Sequence, residues 1–510
     1  MPACGILRRM ATKDFSKTGD APLSSGIKGL DDVLCGGFTP NRMYLCEGVP
    51  GSGKTTLGMQ FLAAGARNGE SVLYVTLSES AEELRDIANS HGWSLEGIRI
   101  RELIPSERSL EPDDQYTVFH PSEVELTETT QHILQDVETM KPRRVVFDSL
   151  SELRLLAGNP LRYRRQILAL KQFFAGRKCT VVLLDDLTAT DRDLQVQSIA
   201  HGVISLEQMV PEYGSDRRRL RVVKYRGKIF RGGYHDYAIR TGGMEVFPRI
   251  VAAEHRRLQE TTRISGGVEA LDTLLGGGLE LGSSTLVVGA PGTGKSTLTA
   301  QFVAAAAKQG IKGAMFIFDE SMPTLLTRTA GMGIELAKYV QDGTVTVQPV
   351  DPAELSPGEF AHSLRCCVER DGARVVVIDS LNGYLNATPE DRFLTIQLHE
   401  LLSYLAQLGV ATLIVGAHQG LVGGAMRTPV DTSYLADAVI LLRFYETVGE
   451  VRQAISIVKK RGGAHERTIR DFKLTAQGIQ IGEPLRRFRG VLTGVPIPLD
   501  ENVPSKRVEN

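Results

Sequence analysis

The chain has 510 residues, enough for about three domains of ordinary size or for two halves that each bury a full core without disulfides. Hydrophobic residues make up 42% and charged residues 23%, the balance of a folded chain, which excludes wholesale disorder. With 59 Lys and Arg against 60 Asp and Glu the net charge is −1, so the basic excess usual in nucleic-acid binders is missing.

At the start of the chain, Arg8 and Arg9 have no apolar stretch behind them, so no signal peptide is expected. No uninterrupted apolar run reaches the ~18 residues of a membrane span. Ser25-Gly-Ile-Lys-Gly-Leu-Asp31 then opens a segment ending in Gly48-Val-Pro-Gly-Ser-Gly-Lys-Thr55. Short apolar runs at Ser71–Leu77, Arg144–Phe147 and Thr180–Leu184 read as buried parallel strands. A polar stretch follows near Pro248–Arg263, and the pattern begins again. Gly267-Val-Glu-Ala-Leu-Asp272 leads to Gly289-Ala-Pro-Gly-Thr-Gly-Lys-Ser296. Strands are expected at Ser284–Val288, Ala314–Phe318, Arg374–Ile378, Ala411–Val415 and Ala438–Leu442, with a helix over Phe393–Leu408. The cysteines Cys4, Cys35, Cys46, Cys179, Cys366 and Cys367 form no C-x-x-C pair and read as reduced thiols of a cytoplasmic protein.

The two halves are one pattern written twice. Leu30, Asp31, Gly36, Gly37, Lys54 and Glu79 recur 241 residues later as Leu271, Asp272, Gly277, Gly278, Lys295 and Glu320. Asp148 recurs as Asp379, and Lys224-x-Arg226-Gly recurs as Lys459-x-Arg461-Gly. The organisation expected is a flexible segment over 1–20, domains over 21–252 and 253–490, and a tail over 491–510. Alternating strands and helices make each domain α/β, with a mostly parallel sheet covered by helices on both faces.

The two loops fit G-x-x-x-x-G-K-[ST], which curls backbone N–H groups around phosphate oxygens at a helix N-terminus. Gly48, Gly51, Ser52, Gly53, Lys54, Thr55 and Thr56 form the first candidate nucleotide site. Gly289, Gly292, Thr293, Gly294, Lys295, Ser296 and Thr297 form the second. The lysines reach the β and γ phosphates of ATP, and Thr55 and Ser296 offer a hydroxyl to Mg²⁺. Asp148 and Asp379 each close an apolar run, where a carboxylate beside the loop holds Mg²⁺ through water. Glu79 lies 25 residues after Lys54, and Glu320 lies 25 after Lys295, with Asp319 before it. A carboxylate there can take a proton from water or from a hydroxyl nucleophile, and Glu320 can also join the metal. Ser78 stands where the second copy has Asp319, so the first copy has a single acid.

On these residues the chain resembles the KaiC family of circadian-clock ATPases and autokinases, within the RecA-like superfamily. The likeness covers about residues 20–495, through the paired openings, both phosphate loops, the K-x-R-G segments and Gly490-Val-Leu-Thr-Gly-Val-Pro496. It implies two tandem RecA-like domains that stack as two rings in a homohexamer, with ATP between subunits. It further implies that Lys224 and Arg226, and Lys459, Arg461 and His465, reach the neighbouring subunit's ATP. Phe230 stands where the family carries a His. The family's phosphoacceptor pair falls on Ser433 and Tyr434, with Thr432 beside them. The implied partners are a KaiB-like protein and a histidine kinase or response regulator. The tail after Pro496 is short, so KaiA is not expected, and neither nucleic acid nor a membrane is. Two other readings share these motifs: an ATP-driven recombinase or helicase, for which Arg217-Arg-Arg219 and Arg486-Arg487 would touch phosphate backbones, and a scaffold that binds ATP only to assemble.

Overall fold

Met43-Tyr-Leu-Cys-Glu-Gly48 is buried along its whole length, as a central strand must be when both of its faces are covered. The computed structural model describes residues 21–103, 121–187, 194–211, 213–255, 262–385, 391–417, 435–491 and 497–498. These form two compact units that divide between Arg249 and Ile250.

In the first unit the elements that matter run β1 (Met43–Gly48), α1 (Lys54–Arg67), β2 (Val72–Thr76), α2 (Ala81–Ser90), β3 (Ile98–Glu102), α3 (Pro121–Met140), β4 (Arg144–Asp148), α4 (Leu150–Ala157), α5 (Pro160–Gly176), β5 (Thr180–Asp186), β6 (Gly202–Met209), β7 (Arg217–Tyr225), β8 (His235–Arg240) and β9 (Gly243–Phe247). The sheet order is β3-β2-β4-β5-β1-β6-β7-β8-β9. The pairings from β3 to β6 are parallel, and those from β6 to β9 are antiparallel. Successive strand residues point to opposite faces. Tyr44, Cys46, Tyr74, Val146 and Leu184 therefore join Leu57 and Phe61 of α1 in one core, while Leu45, Val75, Val145, Phe147 and Leu183 join Leu153, Ile167 and Phe174 of α4 and α5 in the other.

The second unit repeats this plan as β10 (Ser284–Gly289), α6 (Lys295–Lys308), β11 (Gly313–Ile317), α7 (Met322–Gly331), β12 (Val345–Pro349), α8 (Pro357–Glu369), β13 (Val375–Asp379), α9 (Asp391–Gln407), β14 (Ala411–Ala417), β15 (Ala438–Thr447), β16 (Glu450–Lys460), β17 (Arg470–Thr475) and β18 (Gly478–Pro484). Its order is β12-β11-β13-β14-β10-β15-β16-β17-β18, the first sheet with nine added to every label. The fold is therefore α/β, with two mostly parallel sheets each covered on both faces. The outer antiparallel strands β7 to β9 and β16 to β18 lie beyond the apolar runs that marked the parallel core. β7 carries Arg217, Arg218, Arg219 and Arg221, and is only half-buried, so it has no such run. No helix among the described residues is long and apolar enough to cross a membrane.

Candidate nucleotide sites

Each phosphate loop leaves the C-terminal end of its central strand and turns through two left-handed glycines into a helix. Gly51 and Gly53 have φ of 79° and 91°, and Gly292 and Gly294 have 81° and 93°. L-side chains rarely adopt such angles, which is why glycine recurs there. The Ser52 hydroxyl donates to the Val49 carbonyl at 2.7 Å, and that of Thr293 to Ala290 at 2.8 Å. These two hydroxyls stiffen the loops. Helices α1 and α6 start at Lys54 and Lys295, as the sequence implied.

The lysines lie folded over their loops. Lys54 Nζ donates to the carbonyls of Gly48 and Val49 at 3.0 and 2.9 Å, and pairs with Asp186 at 2.6 Å. Lys295 Nζ donates to Gly289 and Ala290, both at 2.8 Å. Asp186 is a residue that the sequence gave no reason to single out. It reaches Lys54 because β1 and β5 are neighbours, with Gly48 beside Asp186. In the second unit Ala417 stands beside Gly289, so that acid has no counterpart. Burial lowers the Lys295 pKa, with Asp379 opposing the change.

Asp148 and Asp379 stand next to the loop hydroxyls. Thr55 Oγ1 donates to Asp148 at 3.0 Å, and the Tyr74 hydroxyl donates to the same carboxylate oxygen at 2.6 Å. Burial raises the pKa of both aspartates, while the hydroxyls of Tyr74 and Thr55, and that of Ser296, pull in the other direction. A hydroxyl and a carboxylate at this distance are hard oxygen donors, a set that fits Mg²⁺. Among the described residues no cluster of three or more His, Cys, Asp or Glu stands ready for a metal. The ion would therefore draw further ligands from phosphate and water. A cis peptide follows each aspartate, at Asp148–Ser149 and Asp379–Ser380.

The acids beyond the second strands differ between the units. Glu79 Oε2 is buried without a hydrogen-bond partner among the described residues. Burial first, then the charges of Asp148, Glu83 and Asp186, push its pKa up to about 7. In the second unit Glu320 is held by both forks of Arg328 at 3.0 and 2.7 Å, and Arg328 also donates to Thr297 at 2.6 Å. Asp319 accepts from the Ser380 hydroxyl at 2.5 Å. Ser380 and Arg328 were not foreseen. The Asp-Ser-Leu repeat carried a signal for the first, whereas Arg328 matters only through its side chain bridging Glu320 and Thr297, which no local pattern announces. Thr56 and Thr297 are buried behind their loops.

The K-x-R-G residues lie at the other end of each sheet. Lys224 pairs in register with Val203, which faces Leu45, three residues before Gly48. Lys224 Nζ donates to the carbonyls of Gln197 and Ser198, and Arg226 donates to Ser198 at 2.6 Å. Lys459 donates to Ala436 at 2.8 Å, and Arg461 pairs with Asp437 at 3.5 Å. His465 sits in the turn after β16, with its Cα beside Gly276. Among the described residues, no hydrogen bond or ion pair joins any of them to its own phosphate loop. Ser433, Thr432 and Tyr434 lie outside the described residues. Arg218 and Arg219 are paired with Asp216 and Glu207 at 3.2 and 2.8 Å, so this arginine run is already neutralised in part.

Two RecA-like sheets, each with a complete phosphate loop and a Mg²⁺-competent Thr–Asp or Ser–Asp pair, place the chain among the P-loop ATPases with duplicated domains. Comparison with known families narrows this. The model of the KaiC ATPase family matches residues 23–250 and again 264–486. The chain belongs to the KaiC family. It is 27% identical to the circadian clock protein KaiC3 of Synechocystis over 490 residues, which is 95% of this chain and 96% of that one. It is 26% identical to the circadian clock oscillator proteins KaiC of Parasynechococcus marenigrum, over 95% of both chains, and of Thermosynechococcus vestitus, over 94% and 93%.

Proposed function

We propose that the chain is an ATP hydrolase and Ser/Thr autokinase that assembles with ATP·Mg²⁺ into a homohexameric double ring and serves a circadian or simpler timing or signalling system. The observation that carries this reading is the unequal acid set of two otherwise matched phosphate sites. In the first, Glu79 is unpaired and positioned to take a proton from water, which suits hydrolysis. In the second, Arg328 engages Glu320, and Asp319 is the acid left to accept a hydroxyl proton, which suits transfer to a side chain. Thr55 with Asp148, and Ser296 with Asp379, would hold Mg²⁺, whose charge offsets that of the β and γ phosphates. Lys224, Arg226, Lys459 and Arg461 lie at the end of the sheet remote from their own loops, which leaves them available to a neighbour's ATP, and the family resemblance assigns His465 to the same contact. The clock role rests on the names of the relatives. A KaiB-like protein and a histidine kinase or response regulator are the partners that such a role implies, in the cytoplasm.

Ser433 is the proposed main acceptor, ahead of Thr432, with Tyr434 last because a phenol overshoots a pocket shaped for a hydroxymethyl group. The test is incubation with ATP followed by phosphosite mapping, alongside Asp319→Asn and Ser433→Ala. Phosphate on Ser433, slowed in Asp319→Asn, is the expected result. Phosphate chiefly on Tyr434, or undiminished labelling in Asp319→Asn, overturns the assignment. No phosphate on any residue removes the kinase and leaves an ATPase.

A further inference from the structure

Beside Arg226, at the end of the first sheet remote from its own phosphate loop, lies a cavity of about 210 Å³ lined by Arg42, Lys171, Phe174, Cys179 and His201 among others. Its polar wall is cationic. Arg42, Lys171 and Arg226 donate only to backbone carbonyls, at 3.2, 2.8 and 2.6 Å, and no carboxylate is among their partners in the described residues. Lys224 adds a fourth cation that is also held only by carbonyls. His201 Nε2 is buried with no hydrogen-bond partner among the described residues. The imidazole packs edge-on against Tyr44 and Tyr225, both at 5.7 Å between ring centres, which fixes its plane. Burial and then the four surrounding cations hold His201 down at about 4, and Lys171 and Lys224 are lowered for the same two reasons. Cations that depress one another in a half-buried cavity are stabilised by an anion that binds among them.

The second unit supplies a control within the same chain. Backbone hydrogen bonds match His201 with Asp437 and Arg42 with Ser283: His201 and Asp437 donate to Met43 and Ser284, and Arg42 and Ser283 accept from Val181 and Thr412. Lys171 on α5 corresponds to Leu402 on α9. There the arginine of the K-x-R-G segment finds its counter-charge within the chain, as Arg461 pairs with Asp437. The first unit replaces that internal anion with more cations.

We propose that Arg42, Lys171 and His201 complete, with Arg226, a phosphoryl-anion site specific to the first domain. Arginine forks and a lysine point charge suit the oxygens of a phosphate group, and His201 Nε2 adds an orienting hydrogen bond. The volume has room for a phosphate group. The anion is either free inorganic phosphate or the phosphate end of a nucleotide carried by a second copy of the chain. The second source rests on the trans-acting role given above to Lys224 and Arg226, and the first does not.

The test is titration calorimetry of the full, nucleotide-free chain with inorganic phosphate, in a Lys54→Ala/Lys295→Ala background that removes binding at the loops. One phosphate per chain, weakened at least tenfold by Lys171→Met and by Arg42→Gln and restored by Lys171→Arg, establishes the site for the free ion. If phosphate does not bind, the same substitutions are placed in the otherwise native chain and ATP-driven assembly is followed by light scattering. A rise of at least tenfold in the ATP required, again restored by Lys171→Arg, assigns the site to a second copy's nucleotide. Phosphate binding in a chain that never forms rings keeps this inference and sinks the hexamer. No phosphate binding together with unchanged assembly overturns it.

Discussion

Glu79 and Glu320 are the same residue at the same place in the repeat, but their surroundings differ: Arg328 holds Glu320, whereas Glu79 Oε2 has no partner among the described residues. Burial first, then the charges of Asp148, Glu83 and Asp186, make Glu79 a base that is half-protonated at about pH 7. Hydrolysis in the first domain, measured as kcat/KM in a Lys295→Ala background, is therefore expected to rise with pH through about 7. Glu79→Gln is expected to lower it by roughly 10²- to 10⁴-fold and to remove that limb. The same shift has a consequence for stability. A carboxyl raised from an ordinary 4.5 binds its proton more tightly when folded, so the stability it contributes is present at low pH and lost as pH rises through about 7. Glu79→Gln should thus melt higher than the native chain at pH 8 and no higher at pH 4. A melting point unchanged at pH 8 would mean that the carboxyl is not perturbed.

At the scale of elements, the phosphate-loop helices pack on the same strands with different side chains. Gly65 of α1 faces Arg144 at the start of β4, and a Cβ placed there would stand 2.7 Å from Arg144 Cδ and 2.8 Å from a Val72 methyl. Arg144 is buried, pairs with Glu70 at 2.5 Å and donates to the carbonyls of Ser24 and Phe61 at 2.8 and 2.9 Å. At the corresponding positions of the second unit Ala306 and Val375 fill the space, both fully buried. A missing methyl on the helix is thus exchanged for a longer side chain on the strand. Gly65→Ala is expected to destabilise the first unit by ~1–3 kcal/mol in urea unfolding, because the crowded guanidinium cannot leave its carbonyl partners. Ala306→Gly is expected to cost about 1 kcal/mol in the second, through helix propensity and lost packing. A neutral Gly65→Ala would show that Arg144 is free to move.

For the whole molecule, duplication supplies two ATP sites whose tasks can diverge. Sites completed by a neighbour make association depend on nucleotide, since binding across an interface favours the assembled state. A hexamer is expected with ATP·Mg²⁺ and smaller species without it. Lys54→Ala should mainly impair assembly and first-domain hydrolysis, whereas Lys295→Ala should abolish autophosphorylation. Light scattering and phosphate incorporation read the two effects separately. A monomer at saturating ATP, or full phosphorylation of Lys295→Ala, contradicts the division.

By itself the sequence determined the repeat, the α/β class, β2, β4 and β5 of the first parallel core, β10, β11, β13, β14 and β15 of the second, both phosphate loops and the aspartates at the ends of β4 and β13. It could do so because backbone-driven phosphate binding demands glycines and a lysine at fixed spacing, and strands buried on both faces demand continuous apolar runs. The half-buried strands β7 and β8 carried no such run, and β9, though mostly buried, is only five residues long and is interrupted by Glu245, so none of the three was legible. Which acids are free was decided only by tertiary structure. The pairing of Lys54 with Asp186 follows from the neighbourhood of β1 and β5, and Arg328, eight residues beyond Glu320 on α7, is placed to hold that acid and Thr297 of α6 together. The contrast between the cationic cavity of the first unit and the Arg461–Asp437 pair of the second also arises from strand register. Charges far apart in the chain meet there, and local pattern holds no record of such meetings.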